Sequence, residues 1–393
     1  MRTSSYVGPV ALLVSLVFAF HAFAQQGQPG AQPVDGLTPA QNLAFQEGRR
    51  TFAKNYRIAD GLGPVFNDES CADCHRGGTT ASNRTVSRFG RITNGAFDPL
   101  PELGGSLIQS RGIGSITTLD GTFNFVGERI PPVASIGATR RTTSVRGLGF
   151  VDAVPDETWF AIARSEAAAN DGTAGRVHIV VDIATGRAVV GKFGWKAQVP
   201  NLFQFSADAL LNEIGITNPL FLDETCPQGD CMTLAFNPTP ALNDDGRDVA
   251  ALSDFQTMLA PPARGAITDE ALSGEVLFHQ IGCGSCHRAS IQSGPSPIAA
   301  FNRATFHPYS DFLLHDMGTL GDGIAQGQAT GREMRTAPLW GLRNANRLLH
   351  DGGATTIEAA IQRHDGQARP ARDRFAALDA DSVALLLAFL RSL

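Results

Sequence analysis

Charge of one sign is what this chain most plainly lacks. Its 393 residues carry 32 Lys plus Arg against 38 Asp plus Glu, a formal charge of -6. There is no basic excess to track a phosphate backbone, so no nucleic-acid partner is expected. Past the first two dozen residues, long apolar runs are missing as well, and the chain is not expected to be embedded in a membrane. Cysteine is scarce, six in all, which excludes a small disulfide-stapled scaffold. Disorder of the whole chain is excluded by what is abundant: 43% of residues are hydrophobic and 18% charged. That is material for one large core or two to three ordinary ones. Gly (42) and Pro (22) follow no period, which excludes collagen and predicts much loop.

The first residues read as a processing signal. Arg2 supplies a positive flank, Val10 to Phe20 is apolar but for Ser15, and Ala22-Phe23-Ala24 offers small residues where a signal peptidase cuts. The apolar stretch falls short of the roughly 20 residues of a membrane span. Residues 1–24 are therefore assigned to a signal peptide cleaved near Ala24. Residues 25–38, rich in Gln, Pro and Gly, form a flexible lead-in. In a Gram-negative cell this export leads to the periplasm.

Helical patterning recurs ahead of two similar motifs. Pro39 to Tyr56 has Leu43, Phe45 and Phe52 at roughly helical spacing and leads into Cys71-Ala72-Asp73-Cys74-His75. Asp269 to Gln280 repeats the arrangement ahead of Cys283-Gly284-Ser285-Cys286-His287. Asp156 to Ala169 and Ala207 to Ile214 are further candidates. Asp379 to Leu393 closes the chain, with Asp379 or Asp381 as its cap. One hairpin is predicted, from Arg176 to Asp182 and Arg187 to Phe193 around a turn at Ile183 to Gly186. The stretch between the two motifs does not repeat, so this is a duplication and not a solenoid. Ala260-Pro261-Pro262-Ala263-Arg264-Gly265 stops any helix and marks the best boundary, between residues 39–260 and 261–393.

CxxCH is a specific pattern. Two thiols three positions apart add across the vinyl groups of a haem, and the next His offers an imidazole to the iron. Zinc wants four clustered ligands, whereas these motifs stand far apart. A thioredoxin-like redox pair needs a βαβ setting and has no use for the His. The residues favour two covalently bound haems c, with Cys71, Cys74, Cys283 and Cys286 as thioethers and His75 and His287 as proximal ligands. Cys226 and Cys231, in Cys-Pro-Gln-Gly-Asp-Cys, read as a local disulfide in an oxidising compartment. Free or metal-binding thiols are the alternative.

The sixth ligands decide what such haems do. An iron with two strong protein ligands passes electrons, and one with an open position binds peroxide or oxygen. No His or Met occurs from residue 76 to 177, so the first haem is the better candidate for an open site. The second haem is followed by Met317 and by His364, which ends the helix-like stretch from Thr356. His178, His279 and His307 are read as structural or propionate-contacting residues. His315 and His350, in His-Asp-Met-Gly and His-Asp-Gly, are read as pocket walls.

A family resemblance rests on these motifs and their neighbours. They are Phe66-Asn-Asp-Glu-Ser-Cys-Ala-Asp-Cys-His75, Gly147-Leu-Gly-Phe-Val-Asp-Ala-Val-Pro-Asp156 and Gly191-Lys-Phe-Gly-Trp-Lys-Ala197. Leu259-Ala-Pro-Pro-Ala-Arg264, Pro308-Tyr-Ser-Asp-Phe-Leu-Leu-His-Asp-Met-Gly318, Arg335-Thr-Ala-Pro-Leu-Trp-Gly-Leu342 and Leu349-His-Asp-Gly352 continue the series. Over about residues 45 to 393 the chain resembles the bacterial di-haem cytochrome c peroxidases and their MauG-like relatives, and most of all the di-haem oxidoreductase branch. The resemblance implies a mainly α fold: two class I cytochrome c-like haem domains with long loops and a small β-hairpin insertion.

The resemblance also implies roles. In such peroxidases the N-terminal haem meets hydrogen peroxide, and the C-terminal haem collects electrons from a small donor protein, a cytochrome c or a cupredoxin. His364 falls where relatives carry a Met or Tyr ligand, which implies a bis-His C-terminal haem, with Met317 as the alternate. The distal His that the peroxidases carry soon after the first CxxCH is missing, which points to a permanently accessible N-terminal haem. Their catalytic Glu has no clear counterpart; Glu128 and Glu157 are the candidates for moving a proton there. Trp159, Trp195 and Trp340 are read as an inter-haem route or as aromatic core. An interdomain Ca²⁺ near Thr336 and Pro338 and a homodimer are compatible with the resemblance. Three functions follow: a di-haem peroxidase, a MauG-like oxidase of a protein or organic substrate, and a non-enzymatic electron carrier. A thiol oxidoreductase finds no support, because the thiols are committed.

Overall fold

In the computed structural model, residues 31–75, 84–119 and 121–393 are described; residues 1–24, expected to be a signal peptide, lie outside them. The α-helices among them are α1 (Pro39–Phe52), α2 (Cys71–Cys74), α3 (Leu148–Asp152), α4 (Asp156–Ala169) and α5 (Leu202–Ile214). They continue with α6 (Arg247–Met258), α7 (Asp269–Gln280), α8 (Ile357–Gln362), α9 (Arg369–Ala376) and α10 (Ala380–Leu390). Helices dominate, joined by long loops. Local chemistry sets their starts. Thr38 and Gln41 form a capping box ahead of Pro39. Thr268 caps α7, and Asp379, rather than Asp381, caps α10 by accepting the Ser382 N–H at 2.7 Å.

Two helix crossings are built alike. α1 packs on α6, and α7 packs on α10. A Cβ added to Gly48 of α1 would stand 2.0 Å from the Ala251 carbonyl oxygen and 2.7 Å from Phe255 Cβ. One added to Gly274 of α7 would stand 2.0 Å from the Leu385 oxygen and 2.9 Å from Phe389 Cβ. One turn on, Phe52 packs against Phe255 (ring centroids 4.9 Å) and His75 (5.9 Å). Its counterpart Phe278 packs against Phe389 (5.1 Å) and His287 (6.3 Å). Each crossing therefore sets an aromatic pair against the His of one CxxCH motif. The duplication seen in sequence is a duplication of packing.

The larger hydrophobic core joins α1, α3, α4, α5 and α6 and also takes in Ile291, Phe306, Phe312, Leu313 and Trp340. The smaller core joins α7 and α10 with Tyr309 and Phe375. The Pro-rich strip after α6 is pinned on both sides: the Leu259 carbonyl accepts the Gly147 N–H (3.0 Å), and the Gly265 N–H donates to Ser392 (2.7 Å). The described part of the lead-in lies against this strip. From Ala31 on, the lead-in is fastened: Val34 N–H donates to the Met258 carbonyl (2.8 Å), Gln32 accepts from Ala260 (2.9 Å), and Ala31 and Val34 are buried. Its backbone groups and two apolar side chains find partners at the end of α6, which composition alone does not reveal.

The expected hairpin is present as His178–Asp182 paired antiparallel with Arg187–Gly191. There is more β structure than that. Thr85–Thr93 is the centre of a three-stranded antiparallel sheet between Ala96–Asp98 and Ile136–Arg141, and Gly114–Thr118 pairs with Gly121–Phe125. A buried cation ties the loop from Gly318 to Arg335 to this N-terminal half. Lys196, fully buried, donates to the carbonyls of Thr330 (2.9 Å), Gly331 (3.4 Å) and Glu333, and pairs with Asp322 (3.1 Å). Asp322 also accepts Arg140 Nε at 2.7 Å. No helix among the described residues is long and apolar enough to cross a membrane.

Candidate functional site

Both CxxCH histidines are oriented the same way. The α7 helix delivers Cys283, Cys286 and His287 to an apolar cavity whose other walls include Leu339, Leu342, Ile357 and Ile361. His287 Nδ1 donates to the Tyr309 carbonyl at 2.9 Å. Burial pushes its pKa down to about 4, against the pull of that carbonyl. The ring is thus neutral at pH 7, with its proton on Nδ1 and its Nε2 lone pair free to ligate. His75 is held identically, by the Thr143 carbonyl at 2.9 Å, and burial likewise pushes it down to about 4. The Cys71, Cys74 and Cys283 thiols are pushed up to about 12 by burial.

The two sites differ in what faces the imidazole. His364, just beyond α8, donates from Nδ1 to the Ala360 carbonyl at 2.8 Å, which leaves its Nε2 free. Its ring lies 6.5 Å from that of His287, centroid to centroid. Two imidazoles bound to one metal through bonds of about 2 Å have centroids about 6 Å apart, so the pair fits a shared iron. Met317 lines the same cavity. His75, by contrast, has Phe52 as its ring neighbour, and no second imidazole packs on it among the described residues.

The remaining sequence candidates are distributed as follows. Glu128 is buried, and its two oxygens accept the N–H groups of Gln109 (2.8 Å) and Gln228 (2.7 Å). Burial raises its carboxyl above the usual range. It fastens the loop that carries the Cys226–Cys231 disulfide, which is formed. Glu157 is exposed in the first turn of α4. His178 is consumed by the Lys196 carbonyl and the Gln328 N–H; His279 and His307 are exposed.

His315 and His350 both line the cavity. His315 contacts Asp311 Oδ2 (2.9 Å) and Cys286 Sγ (3.5 Å). Burial opposes its protonation, but Asp311 outweighs burial and holds its pKa well above the usual value. Cys286, Asp311 and His315 offer donor atoms within 4.8 Å of one another, and the sulfur is also the second cysteine of a CxxCH motif. Trp159 lies in the large core against Phe312 (5.7 Å). Trp195 and Trp340 line the cavity, and Trp195 donates to the Arg141 carbonyl and abuts His350. The Thr336 carbonyl already accepts Ser310 Oγ (2.8 Å) and an Arg335 N–H (3.0 Å), so both its lone pairs are engaged without Ca²⁺.

Three charged residues went unnoticed in the sequence. Arg88 on the central strand and Asp208 and Glu213 on α5 interact across the N-terminal half, beside the first CxxCH segment. Arg88 interrupts a strand pattern, and the carboxylates sit five residues apart on a helix that otherwise reads as amphipathic. Charge among these half-buried positions is the signal the sequence offers.

No curated protein matches the chain. Among solved structures it is similar to hydrazine synthase of Kuenenia stuttgartiensis (14% identity over 100% of this chain and 99% of that one, TM-score 0.39). It is also similar to a MauG-like protein associated with microbial copper homeostasis (16%, 93% and 92%, TM-score 0.40). A third is the di-haem peroxidase BthA from Burkholderia thailandensis E264 (14%, 92% and 87%, TM-score 0.40). One family model, "Di-haem oxidoreductase, putative peroxidase", matches residues 133–393. That span is well over half of the chain and includes the second CxxCH motif, His364 and the cavity between them, so the chain belongs to the di-haem oxidoreductase family.

Proposed function

We propose that this chain is a periplasmic di-haem c-type enzyme that reduces hydrogen peroxide at its N-terminal haem, with electrons received through its C-terminal haem. The observation that carries this reading is the unequal supply of imidazoles: His364 stands opposite His287, and among the described residues no second imidazole packs on His75. In this reading Cys71 and Cys74 hold one haem, in the unit 39–260, and Cys283 and Cys286 hold the other, in the unit 261–393. Bound haem supplies one-electron redox chemistry and, where a coordination position is open, a place for peroxide. Thr143 and Tyr309 orient the two proximal imidazoles, and the apolar cavity walls keep water from the C-terminal site. Trp195 stands between the halves, with its indole N–H held by Arg141. A small cytochrome c or cupredoxin delivers two electrons, and two protons complete the conversion of H₂O₂ to two waters.

The deciding experiment is a UV–visible and EPR spectrum of the haem-loaded protein with and without H₂O₂. One low-spin and one high-spin haem, with a peroxide-dependent change at the latter, are expected. Two low-spin haems that ignore peroxide would leave a simple electron carrier. The His364 assignment is tested separately: His364→Ala removes the low-spin signal of the C-terminal haem, and an unchanged spectrum transfers the role to Met317. Oxidation of a protein or organic substrate without turnover of a reduced donor would favour the MauG-like alternative.

A further inference from the structure

His364 and Met317, the two candidates for the coordination position opposite His287, lie on two segments that are fastened to each other. We propose that Asp365 is a positioning residue: its carboxylate clasps the Met317 segment to the His364 segment in the register that keeps His364 facing His287 and Met317 off the iron. This assignment rests on the reading of His364 as the sixth ligand.

The clasp is made of buried contacts. Asp365 is 5% exposed. It opens a helical turn, where a carboxylate ordinarily caps the N–H groups that follow, yet no side-chain cap bond forms. Oδ2 instead reaches the other segment and accepts the N–H and the Oγ–H of Thr319, at 3.0 and 2.8 Å. Oδ1 accepts Arg369 Nε at 2.8 Å and lies 3.6 Å from Arg372 Nη1. That same Arg372 nitrogen donates to the His364 carbonyl at 3.0 Å. The backbones also meet. Gly318 and Gly366 both have φ of +58°. A Cβ on Gly318 would stand 2.6 Å from Asp365 Oδ2, and one on Gly366 would stand 2.6 Å from the Gly318 nitrogen and 2.9 Å from the Met317 carbonyl carbon. Gln367 adds a third tie by accepting the Asp316 N–H at 2.7 Å.

Local contacts alone do not settle which side chain takes the position. The hydrogen bond from His364 Nδ1 to the Ala360 carbonyl fixes the tautomer and tilt of the ring, but both partners ride on the same segment, so it does not fix the distance to His287. The tie to Thr319 does. Met317 lines the same cavity, and methionine is unbranched and adaptable, so its sulfur competes once the two segments are free to slide. The choice matters to function, because a His/Met haem has a higher potential than a bis-His haem. Hydrogen bonds to an ionised acceptor are about twice as strong as neutral ones, and losing one shifts such a balance by about tenfold or more.

The test uses the haem-loaded protein, with haem content and near-UV circular dichroism as controls for folding. Cyanide reaches the ferric C-terminal iron only when the sixth ligand leaves it, so the slow phase of cyanide binding reports that step. Asp365→Ala is expected to speed this phase at least about tenfold. It is also expected to add the red charge-transfer band of a Met-ligated ferric haem and to raise the midpoint potential of the C-terminal haem. Thr319→Val, which removes only the exposed hydroxyl, should do the same to a smaller degree, and Thr319→Ser, which keeps the hydroxyl, should behave as wild type. Met317→Leu added to Asp365→Ala should abolish the band. Folded Asp365→Ala and Thr319→Val proteins with wild-type cyanide kinetics and EPR would overturn the assignment, and so would faster cyanide binding without the Met band. If His364→Ala leaves the wild-type spectrum unchanged, the His364 reading itself fails, and this assignment fails with it.

Discussion

Replacing Gly274 by alanine sets helix propensity against packing, with opposite signs. In a helix interior, alanine is favoured over glycine by about 1 kcal/mol, so propensity alone predicts a more stable protein. The crossing predicts the reverse. The new Cβ would stand 2.0 Å from the Leu385 carbonyl oxygen and 2.6 Å from its carbon. That oxygen belongs to the hydrogen-bonded backbone of α10 and cannot swing aside, so α7 and α10 must part by about 1.4 Å to take the contact from 2.0 Å to the 3.4 Å of ordinary van der Waals contact. Overpacking of this kind costs about 1–3 kcal/mol, sometimes more. The displacement also loosens the ring contacts of Phe278 with Phe389 and His287. Set against the propensity gain, the expected net loss is about 1 kcal/mol, or a fall of roughly 1–2 °C in the melting midpoint of a chain this long. Calorimetry of the haem-loaded protein measures it, and EPR of the C-terminal haem should shift with it. A melting point equal to or above wild type would refute the argument. Gly48→Ala, facing Ala251 at the same 2.0 Å, should behave alike at the other crossing.

Other expectations follow from the same contacts. Lys196→Met strips the ammonium from three carbonyls and Asp322; breaking a buried pair costs about 3–5 kcal/mol, and because Arg140 still serves Asp322 the lower end is expected from a urea midpoint. At Glu333, burial pushes the pKa up, but the hydrogen bonds from Arg176 prevail and hold it at about 2, against an ordinary 4.5. The stability it contributes is therefore complete above about pH 4.5 and lost as pH falls toward 2. With Arg176 two-fifths exposed it is worth about 1 kcal/mol, so Glu333→Gln should flatten melting-point curves measured between pH 5 and 2. Glu128→Gln removes one of two acceptors for backbone N–H groups; a loss of about 1–3 kcal/mol in thermal stability is expected, with the peroxide rate unchanged in stopped flow.

Local chemistry made part of this fold legible. α4 and α7 run from Asp156 to Ala169 and from Asp269 to Gln280, as their patterning implies. α5 starts earlier than expected, at Leu202, because Asn201 caps it by accepting the Gln204 N–H. α6 carries no start signal in the sequence: it begins behind Gly246 with no side-chain cap and has a mixed composition. The sheet centred on Thr85–Thr93 was hidden by Arg88, Gly90 and Arg91. Gly90 is there because the Phe97 ring would lie 2.4 Å from any Cβ, a constraint set by a partner strand. At the site, the CxxCH residues are contiguous and so readable, whereas His287 and His364 come together only when α7 and the segment after α8 pack around one cavity.

The sequence by itself determined the chemistry that lies within a few residues: two CxxCH motifs, the helices that lead into them, the disulfide loop and the lack of a His or Met soon after the first motif. It also specified the glycines and phenylalanines of both crossings, without revealing that they meet. The tertiary structure decided what each histidine faces. His364 is brought to 6.5 Å from His287 by the packing of the C-terminal half, while His75 receives a phenylalanine. The physical reason is that imidazole orientation depends on carbonyls supplied from elsewhere in the chain, Thr143 for His75 and Tyr309 for His287, and such pairings exist only once the chain has folded.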